Sequence, residues 1–288
     1  EFLNIGTEGH PIQESTYAVT VTDAWLKAMV EGDEEKRKTW AKIIQRRTEI
    51  GYPYILFSDT VNNNTVDVYK DKKMKIHGSN LCSEICLPTS DEISFVCCLS
   101  SINIRHYKEW KDTDAVETLV MFLDTVITDF LENLEDLKNS EDQEKQTAFY
   151  FMQRAYKFAK EHRALGLGVL GWHTYLQENN IAVESDEANI LNKEIFKLIS
   201  EKSYKASADL AKDYGEPEIL KGYGRRNTTL MAIAPTTSSA FILGQVSQGI
   251  EPYMSNAFVK DVDKMKVTIK NPALVELLEA KGQNTGEV

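Results

Sequence analysis

Asn80, Cys82 and Glu84 occupy alternate positions of the heptad SNLCSEI, Ser79 to Ile85. On an extended backbone they would share one face, a thiol flanked by an amide and a carboxylate. The chain's four cysteines, Cys82, Cys86, Cys97 and Cys98, all fall within seventeen residues. Three chemistries are open to such a cluster. Cys82 can be a small hydrophobe in a buried strand. The thiols can hold zinc, but Cys97 and Cys98 are adjacent, and adjacent thiolates rarely reach one ion; His77 and His106 complete no standard spacing. The third chemistry is redox or radical. A carboxylate beside a thiol disfavours the thiolate and so a polar nucleophile. A thiyl radical needs no thiolate, and the carboxylate is then free to take a proton from a hydroxyl that the amide also holds.

A second set of capable residues is PTTSS, Pro235 to Ser239, followed by the apolar run AFILG. If a strand ends at Pro235 and a helix starts after it, the free N–H groups of the helix start and the hydroxyls of Thr236, Thr237, Ser238 and Ser239 can hold a phosphate. The helix end supplies about half a positive charge without a lysine. An ordinary N-cap is the competing reading. Other signals are weaker. GLGVLG, Gly166 to Gly171, lacks the spacing of a dinucleotide motif and reads as a tightly packed strand. Arg225 and Arg226 read as exposed charges before a strand, and Glu251 as a structural residue at a strand end.

The elements that must position these groups alternate. STYAVTVTD, Ser15 to Asp23, reads as a strand and is followed by a helical region from about Asp23 to Ile50, ended by Gly51. YPYILF reads as a buried strand, SDTVNNN as a turn-rich loop, and ISFVCCLSSINI as another strand-like run. Thr113 to Leu137 is an amphipathic helix with Val116, Leu119, Val120, Leu123, Ile127, Phe130, Leu131 and Leu134 on one face. Helices follow at about Glu144 to His162 and Asp186 to Tyr214, and TTLMAIAP reads as a strand. This alternation predicts an α/β architecture.

Bulk properties narrow the function. A net charge of −11 argues against a general nucleic-acid-binding surface. No apolar run approaches the roughly 20 residues of a membrane span. Four clustered cysteines are too few for a disulfide scaffold, and a cytoplasmic, reducing location is expected. The chain begins Glu1-Phe2 and ends KGQNTGEV, which suggests a piece of something longer.

SNLCSEI, followed by VCCLSSINI with Cys97 fifteen residues after Cys82, resembles the active-site segment of the large catalytic subunit of class I ribonucleoside-diphosphate reductase. GYPYILFSDTVNNN upstream, and APTTSSAFILG and GIEPYMSN downstream, resemble further segments of that family in the same order. The resemblance implies a single partial catalytic domain over residues 1–288, part of a ten-stranded α/β barrel. A finger loop would span about 79–98 and a phosphate loop about 235–240. It implies a thiyl radical on Cys82 that takes the 3′-hydrogen of the ribose, Glu84 as base for the 3′-hydroxyl, and Asn80 orienting the sugar hydroxyls. Ser79 would join Asn80, Cys82 and Glu84 in binding substrate, with Pro235, Thr236, Thr237, Ser238 and Ser239 at the diphosphate. Cys97 would be one thiol of the redox disulfide, Cys98 would face away, and Cys86 would be packing.

The resemblance further implies a ribonucleoside diphosphate substrate, a radical-generating di-metal small subunit, and a dithiol reductant of the thioredoxin or glutaredoxin type. No metal or cofactor is expected on this chain itself. The family's second redox cysteine and radical-relaying tyrosines match nothing here. The chain is therefore expected to need complementary large-subunit segments, or self-association, for turnover. Two other functions remain open: a catalytically inactive nucleotide-binding or assembly module, and a cobalamin-dependent relative.

Overall fold

The structure, a computed structural model, describes residues 2–262 and 265–283. In chain order its elements are β1 (Ala18–Val21), α1 (Asp23–Glu31), α2 (Glu34–Ile50), β2 (Tyr54–Phe57), α3 (Ser58–Asn63), α4 (Asp67–Asp71), β3 (Leu99–Asn103), α5 (Tyr107–Trp110), α6 (Ala115–Asn139) and α7 (Gln143–His162). They continue with β4 (Gly166–Leu170), α8 (Trp172–Glu178), α9 (Asp186–Tyr214), α10 (Thr237–Ile242), β5 (Ala257–Val262), β6 (Met265–Lys270) and α11 (Pro272–Ala280). The chain forms two compact units. One holds Glu1–Cys97, Phe130–Arg163 and Pro217–Tyr223; the other holds Cys98–Asp129, Ala164–Glu216 and Gly224–Val288.

In the first unit β1 and β2 pair in parallel, Ala18 opposite Tyr54, with α1 and α2 as the crossover. The expected single helical region is two helices because Gly32 and Asp33 give a stop and a start in succession. Gly32 takes the left-handed conformation at φ +117°. Asp33 then caps α2, its Oδ1 accepting from the Lys36 N–H at 3.0 Å. SDTVNNN, expected as a loop, forms the short helix α3. Tertiary bonds outweigh its turn propensity: Asn62 Nδ2 donates to the Ser58 and Ile76 carbonyls at 2.9 and 3.0 Å, and Asp59 Oδ2 accepts from the Asp23 N–H at 2.7 Å.

In the second unit β3 and β4 pair in parallel, Leu99 opposite Gly166. Every residue of β4 is buried. The stretch after Thr228 was expected to be a strand, but it makes only one bridge, Leu167 with Met231. It still lies along β4: the N–H groups of Leu165, just before the strand, and of Leu167 within it donate to the Thr229 and Leu230 carbonyls at 3.0 and 2.8 Å. The glycines of β4 permit that approach: a Cβ on Gly168 would stand 2.3 Å from the Ala232 carbonyl oxygen.

α6 buries the expected face, with Val116, Val120, Leu123, Ile127 and Leu134 in the core. Asp124 is also on it, only 4% exposed. It accepts from Arg226 Nε and Asn227 Nδ2, both at 2.9 Å, while Ser207 Oγ of α9 donates to Asn227 Oδ1 at 2.8 Å. Arg225 and Arg226 are therefore not exposed charges: Arg225 is buried and Arg226 is ion-paired. The paired arginine fastens the start of the segment that leads to Pro235. β5 and β6 form an antiparallel hairpin with Ala257 opposite Lys270. Glu251 precedes this hairpin and ends no strand.

Candidate functional site

The Cys82 segment is a closed turn, not an extended strand. The Asn80 N–H donates to the Ile85 carbonyl at 3.1 Å, and Asn80 Oδ1 accepts from the Ile85 N–H at 3.0 Å. Ser83, at φ +68°, donates its N–H to the Asn80 carbonyl at 3.2 Å. Asn80 suits its position by bonding the backbone through its side chain, while Ser83 is held in the left-handed region that residues with a Cβ uncommonly adopt. Ile85 and Leu87 are buried and anchor the outgoing leg. Cys82 stays exposed within the turn. Ser79 Oγ donates to the Asn80 carbonyl at 3.2 Å, so both Ser79 and Asn80 serve the loop itself.

The rest of the segment up to Cys97 is irregular and held by α7. Arg154 Nη2 donates to the Ser90 carbonyl at 2.6 Å, and the Arg154 carbonyl accepts from the Ser94 N–H at 3.3 Å. Phe95 meets Phe158 edge-on at 6.5 Å between ring centroids. Cys97, exposed at the end of this segment, lies within electrostatic reach of Glu84 and Cys82. Burial pushes the Cys97 thiol pKa upward, and the neighbouring Glu84 carboxylate and Cys82 push it further. Burial, then Glu84, does the same to Cys86. Glu84 is half-buried, and its Oε2 is sealed from solvent with no hydrogen-bond donor. A buried carboxylate oxygen without a donor is a costly arrangement that a bound hydroxyl would relieve.

Reasoning from sequence passed over Tyr52 and Tyr54. Their rings lie 5.1 Å apart, and both hydroxyls lie within electrostatic reach of Cys82. The Tyr-Pro-Tyr spacing was the available signal, since residues two apart on a strand share a face.

In the second unit, Thr236 takes the left-handed conformation at φ +52° and opens α10. Its hydroxyl does not cap the helix but accepts from the Gly249 N–H at 2.8 Å. The ordinary N-cap reading is thereby excluded, and the first turn of α10 has no side-chain cap. Thr237 Oγ1 donates to Gln248 Oε1 at 3.4 Å. Ser238 and Ser239 are exposed, as is Pro235, while Ala240 is buried with Leu170 and Val246. Among the described residues, no group of three or more His, Cys, Asp or Glu side chains could hold a metal ion, and no helix is long and apolar enough to cross a membrane.

The family model described as ribonucleotide reductase, barrel domain, matches residues 6–219 and 217–288. The ribonucleoside-diphosphate reductase large subunit of Invertebrate iridescent virus 3 is 33% identical over 243 residues, covering 84% of this chain and 36% of that protein. A Frog virus 3 (isolate Goorha) protein given the same name provisionally is 38% identical over 287 residues, covering 94% of this chain and 49% of that one. Among solved structures, the Actinobacillus ureae class Id ribonucleotide reductase alpha subunit superposes with a TM-score of 0.89 at 53% identity, over 100% of this chain and 51% of that one. The chain thus spans about half the length of these two longer matches. Its α/β fold is part of the barrel that these proteins share, and it belongs to the ribonucleotide reductase large-subunit family.

Proposed function

We propose that this chain is the part of a ribonucleoside-diphosphate reductase catalytic subunit that carries the radical thiol, the substrate base, one redox thiol and the diphosphate turn. The observation that carries this reading is the buried, donorless Oε2 of Glu84 beside the thiols of Cys82 and Cys97. A radical centre on a small subunit removes a hydrogen atom from Cys82, leaving a thiyl radical. The thiyl takes the 3′-hydrogen of the ribose. Glu84 accepts the 3′-hydroxyl proton, which strengthens loss of the 2′-hydroxyl as water. Cys97 and a second thiol supply two electrons and two protons and become a disulfide. Cys82 returns the hydrogen atom to C3′. The balance is one ribonucleotide and two thiols to one deoxyribonucleotide, one disulfide and one water, with a dithiol of the thioredoxin or glutaredoxin type restoring the pair.

Asn80 Oδ1 is committed to Ile85, so the Nδ2 donors are what the amide offers to the sugar. The uncapped turn from Thr236 to Ser239 presents N–H groups and hydroxyls to the diphosphate. All four cysteines are unbridged, the state that a reducing cytoplasm maintains.

The test is deoxyribonucleotide formation by the subunit assembled with its small subunit, a ribonucleoside diphosphate and dithiol. Cys82→Ser should abolish turnover, and Glu84→Gln should lower it about 100-fold or more. Unchanged turnover in Cys82→Ser would overturn the reading. Tight nucleotide binding without turnover in any assembly would favour an inactive binding module.

A further inference from the structure

α8 begins without a cap of its own. Its N-cap is Gly171, left-handed at φ +81°, with no side chain to offer. The N–H groups of a helix start still need acceptors, and the segment after α10 supplies them. Ser247 Oγ accepts from the Thr174 N–H at 3.2 Å, and the Ser247 carbonyl accepts from the Gly171 N–H at 2.8 Å. Thr174 reciprocates: its Oγ1 accepts from the Ser247 N–H at 2.9 Å. Both residues are buried. Every residue of this arrangement belongs to the second unit.

The same segment holds both ends of α10. Two residues that carry a Cβ stand in the left-handed region there, Thr236 before the helix at φ +52° and Gln245 after it at φ +55°. Such conformations cost energy outside glycine and persist where neighbours hold them. Each has its holder. The Thr236 hydroxyl accepts from the Gly249 N–H, and the Gln245 carbonyl accepts from the Tyr253 hydroxyl, both at 2.8 Å. With its proton given to Gln245, the Tyr253 oxygen accepts from Thr174 Oγ1, 3.1 Å away. The Tyr253 N–H donates to His173 Nδ1 at 3.1 Å, a second tie to the first turn of α8. A buried hydroxyl needs partners wherever it lies. The two partners of Thr174 Oγ1 lead to the two ends of α10, one through Ser247 and Gly249 to Thr236, the other through Tyr253 to Gln245.

We infer that Thr174 and Tyr253 are positioning residues for the diphosphate. They act through Ser247, Gly249 and Gln245, holding the turn from Thr236 to Ser239 in the left-handed start that leaves its first N–H groups without a side-chain cap. The inference rests on the diphosphate reading of that turn and is independent of the radical chemistry at Cys82.

Titration calorimetry of the whole chain with inorganic pyrophosphate tests it, because pyrophosphate reports on the turn without the sugar. A Ser238→Ala, Ser239→Ala double variant should weaken binding and so locate it at the turn. Thr174→Val and Tyr253→Phe should each weaken it about tenfold, as the loss of one or two hydrogen bonds does. Thr174→Ser keeps the hydroxyl and should bind as the parent does. Tyr107→Phe removes a comparable bond elsewhere in the same unit, from the Tyr107 hydroxyl to Glu194 Oε1 at 2.9 Å, and should leave the affinity unchanged. Amide exchange at Gly249 should accelerate in Thr174→Val and Tyr253→Phe and not in Tyr107→Phe. No binding by the parent, or binding indifferent to the serine double variant, would overturn the diphosphate reading and the inference with it. Binding that the serine double variant weakens but Thr174→Val and Tyr253→Phe leave intact would overturn the inference alone. So would equal weakening by Tyr107→Phe, which means general loss of stability, equal weakening by Thr174→Ser, which means packing and not the hydroxyl, or unchanged exchange at Gly249.

Discussion

Asn80 holds Ile85 from both sides, donating its backbone N–H to the Ile85 carbonyl and accepting the Ile85 N–H on its own side-chain oxygen, at 3.1 and 3.0 Å. The residue expected to orient a substrate is thus also the clasp of the loop that carries Cys82. The two duties use different atoms and can be separated by mutation.

Asn80→Asp keeps an acceptor for the Ile85 N–H and removes the amide donor. Asn80→Ala removes both. The alanine variant should lose about 1–2 kcal/mol of local stability by leaving the Ile85 N–H unpaired. Hydrogen exchange at Ile85 should therefore accelerate in Asn80→Ala and stay slow in Asn80→Asp, while substrate binding falls in both. Slow exchange in the alanine variant would mean that the clasp does not hold the loop.

Glu84 raises the pKa of its thiol neighbours Cys97 and Cys86, after burial as the first cause. Negative charge disfavours the thiolate, so neutralising the carboxylate must move both thiols downward. In Glu84→Gln, alkylation of Cys97 and Cys86 by iodoacetamide at a fixed mildly alkaline pH should be faster than in the parent, with both pH midpoints shifted to lower pH. Peptide mapping of the alkylated chain gives each rate separately. Unshifted midpoints would place Glu84 farther from these thiols.

The parts that were legible in the sequence share a physical cause, as do the parts that were not. α6 and α9 were readable because a buried stripe repeats along many turns, and propensity and packing agree there. Gly32 and Asp33 carried a visible stop and start, but good helix formers on both sides hid the break. For the Cys82 segment an extended strand and a loop both stayed open, because alternation is also what a short turn of mixed polar residues looks like. The bonds that close the turn distinguish them: the Ile85 N–H donating to Asn80 Oδ1, and the Asn80 and Ser83 N–H groups donating to the Ile85 and Asn80 carbonyls. The stretch after Thr228 has the composition of a strand, yet pairs with β4 through only one formal bridge. The β5–β6 hairpin went unread, although KVTIK alternates and Asn271-Pro272 marks a helix start. At the site, residue types suggested the chemistry, but the burial of Glu84 Oε2 and the approach of Tyr52 and Tyr54 to Cys82 are tertiary facts.

Gly168 has no room for a side chain. Its Cβ would lie 2.3 Å from the Ala232 carbonyl oxygen, and backbone cannot yield as the tip of a side chain can. Gly168→Ala must push the 229–232 segment off β4 and should cost about 3 kcal/mol or more. Chemical denaturation should show the loss, with no change for alanine at Gly78, where a Cβ meets nothing within 4 Å. Equal stability of the two variants would contradict this packing.

Asp124 is the buried anchor for both Arg226 and Asn227. Asp124→Ala strands a half-buried guanidinium and an amide, and breaking such a pair from one side costs about 3–5 kcal/mol. Asp124→Asn keeps an oxygen acceptor without the charge and should lose less. The ordering of the two denaturation midpoints, with alanine lower, checks the assignment; identical midpoints would show that the ion pair adds nothing.

His162 supplies a pH dependence whose sign follows from its burial. It is fully buried, stacked on Phe158 at 4.1 Å between centroids, with Nδ1 3.1 Å from the Tyr69 hydroxyl and Nε2 unpartnered. Desolvation pushes its pKa down to about 4 from the ordinary 6.5. The unfolded chain therefore binds a proton that the folded chain refuses between those values. The neutral ring costs nothing above pH 6.5, and stability drains away as pH falls from 6.5 toward 4. At about 1.4 kcal/mol per unit the full loss is about 3 kcal/mol. His162→Gln keeps an acceptor for the Tyr69 hydroxyl and does not titrate. Urea midpoints followed from pH 7 to pH 4 should fall more steeply in the parent than in this variant, and parallel slopes would mean that His162 is hydrated or paired in the folded protein.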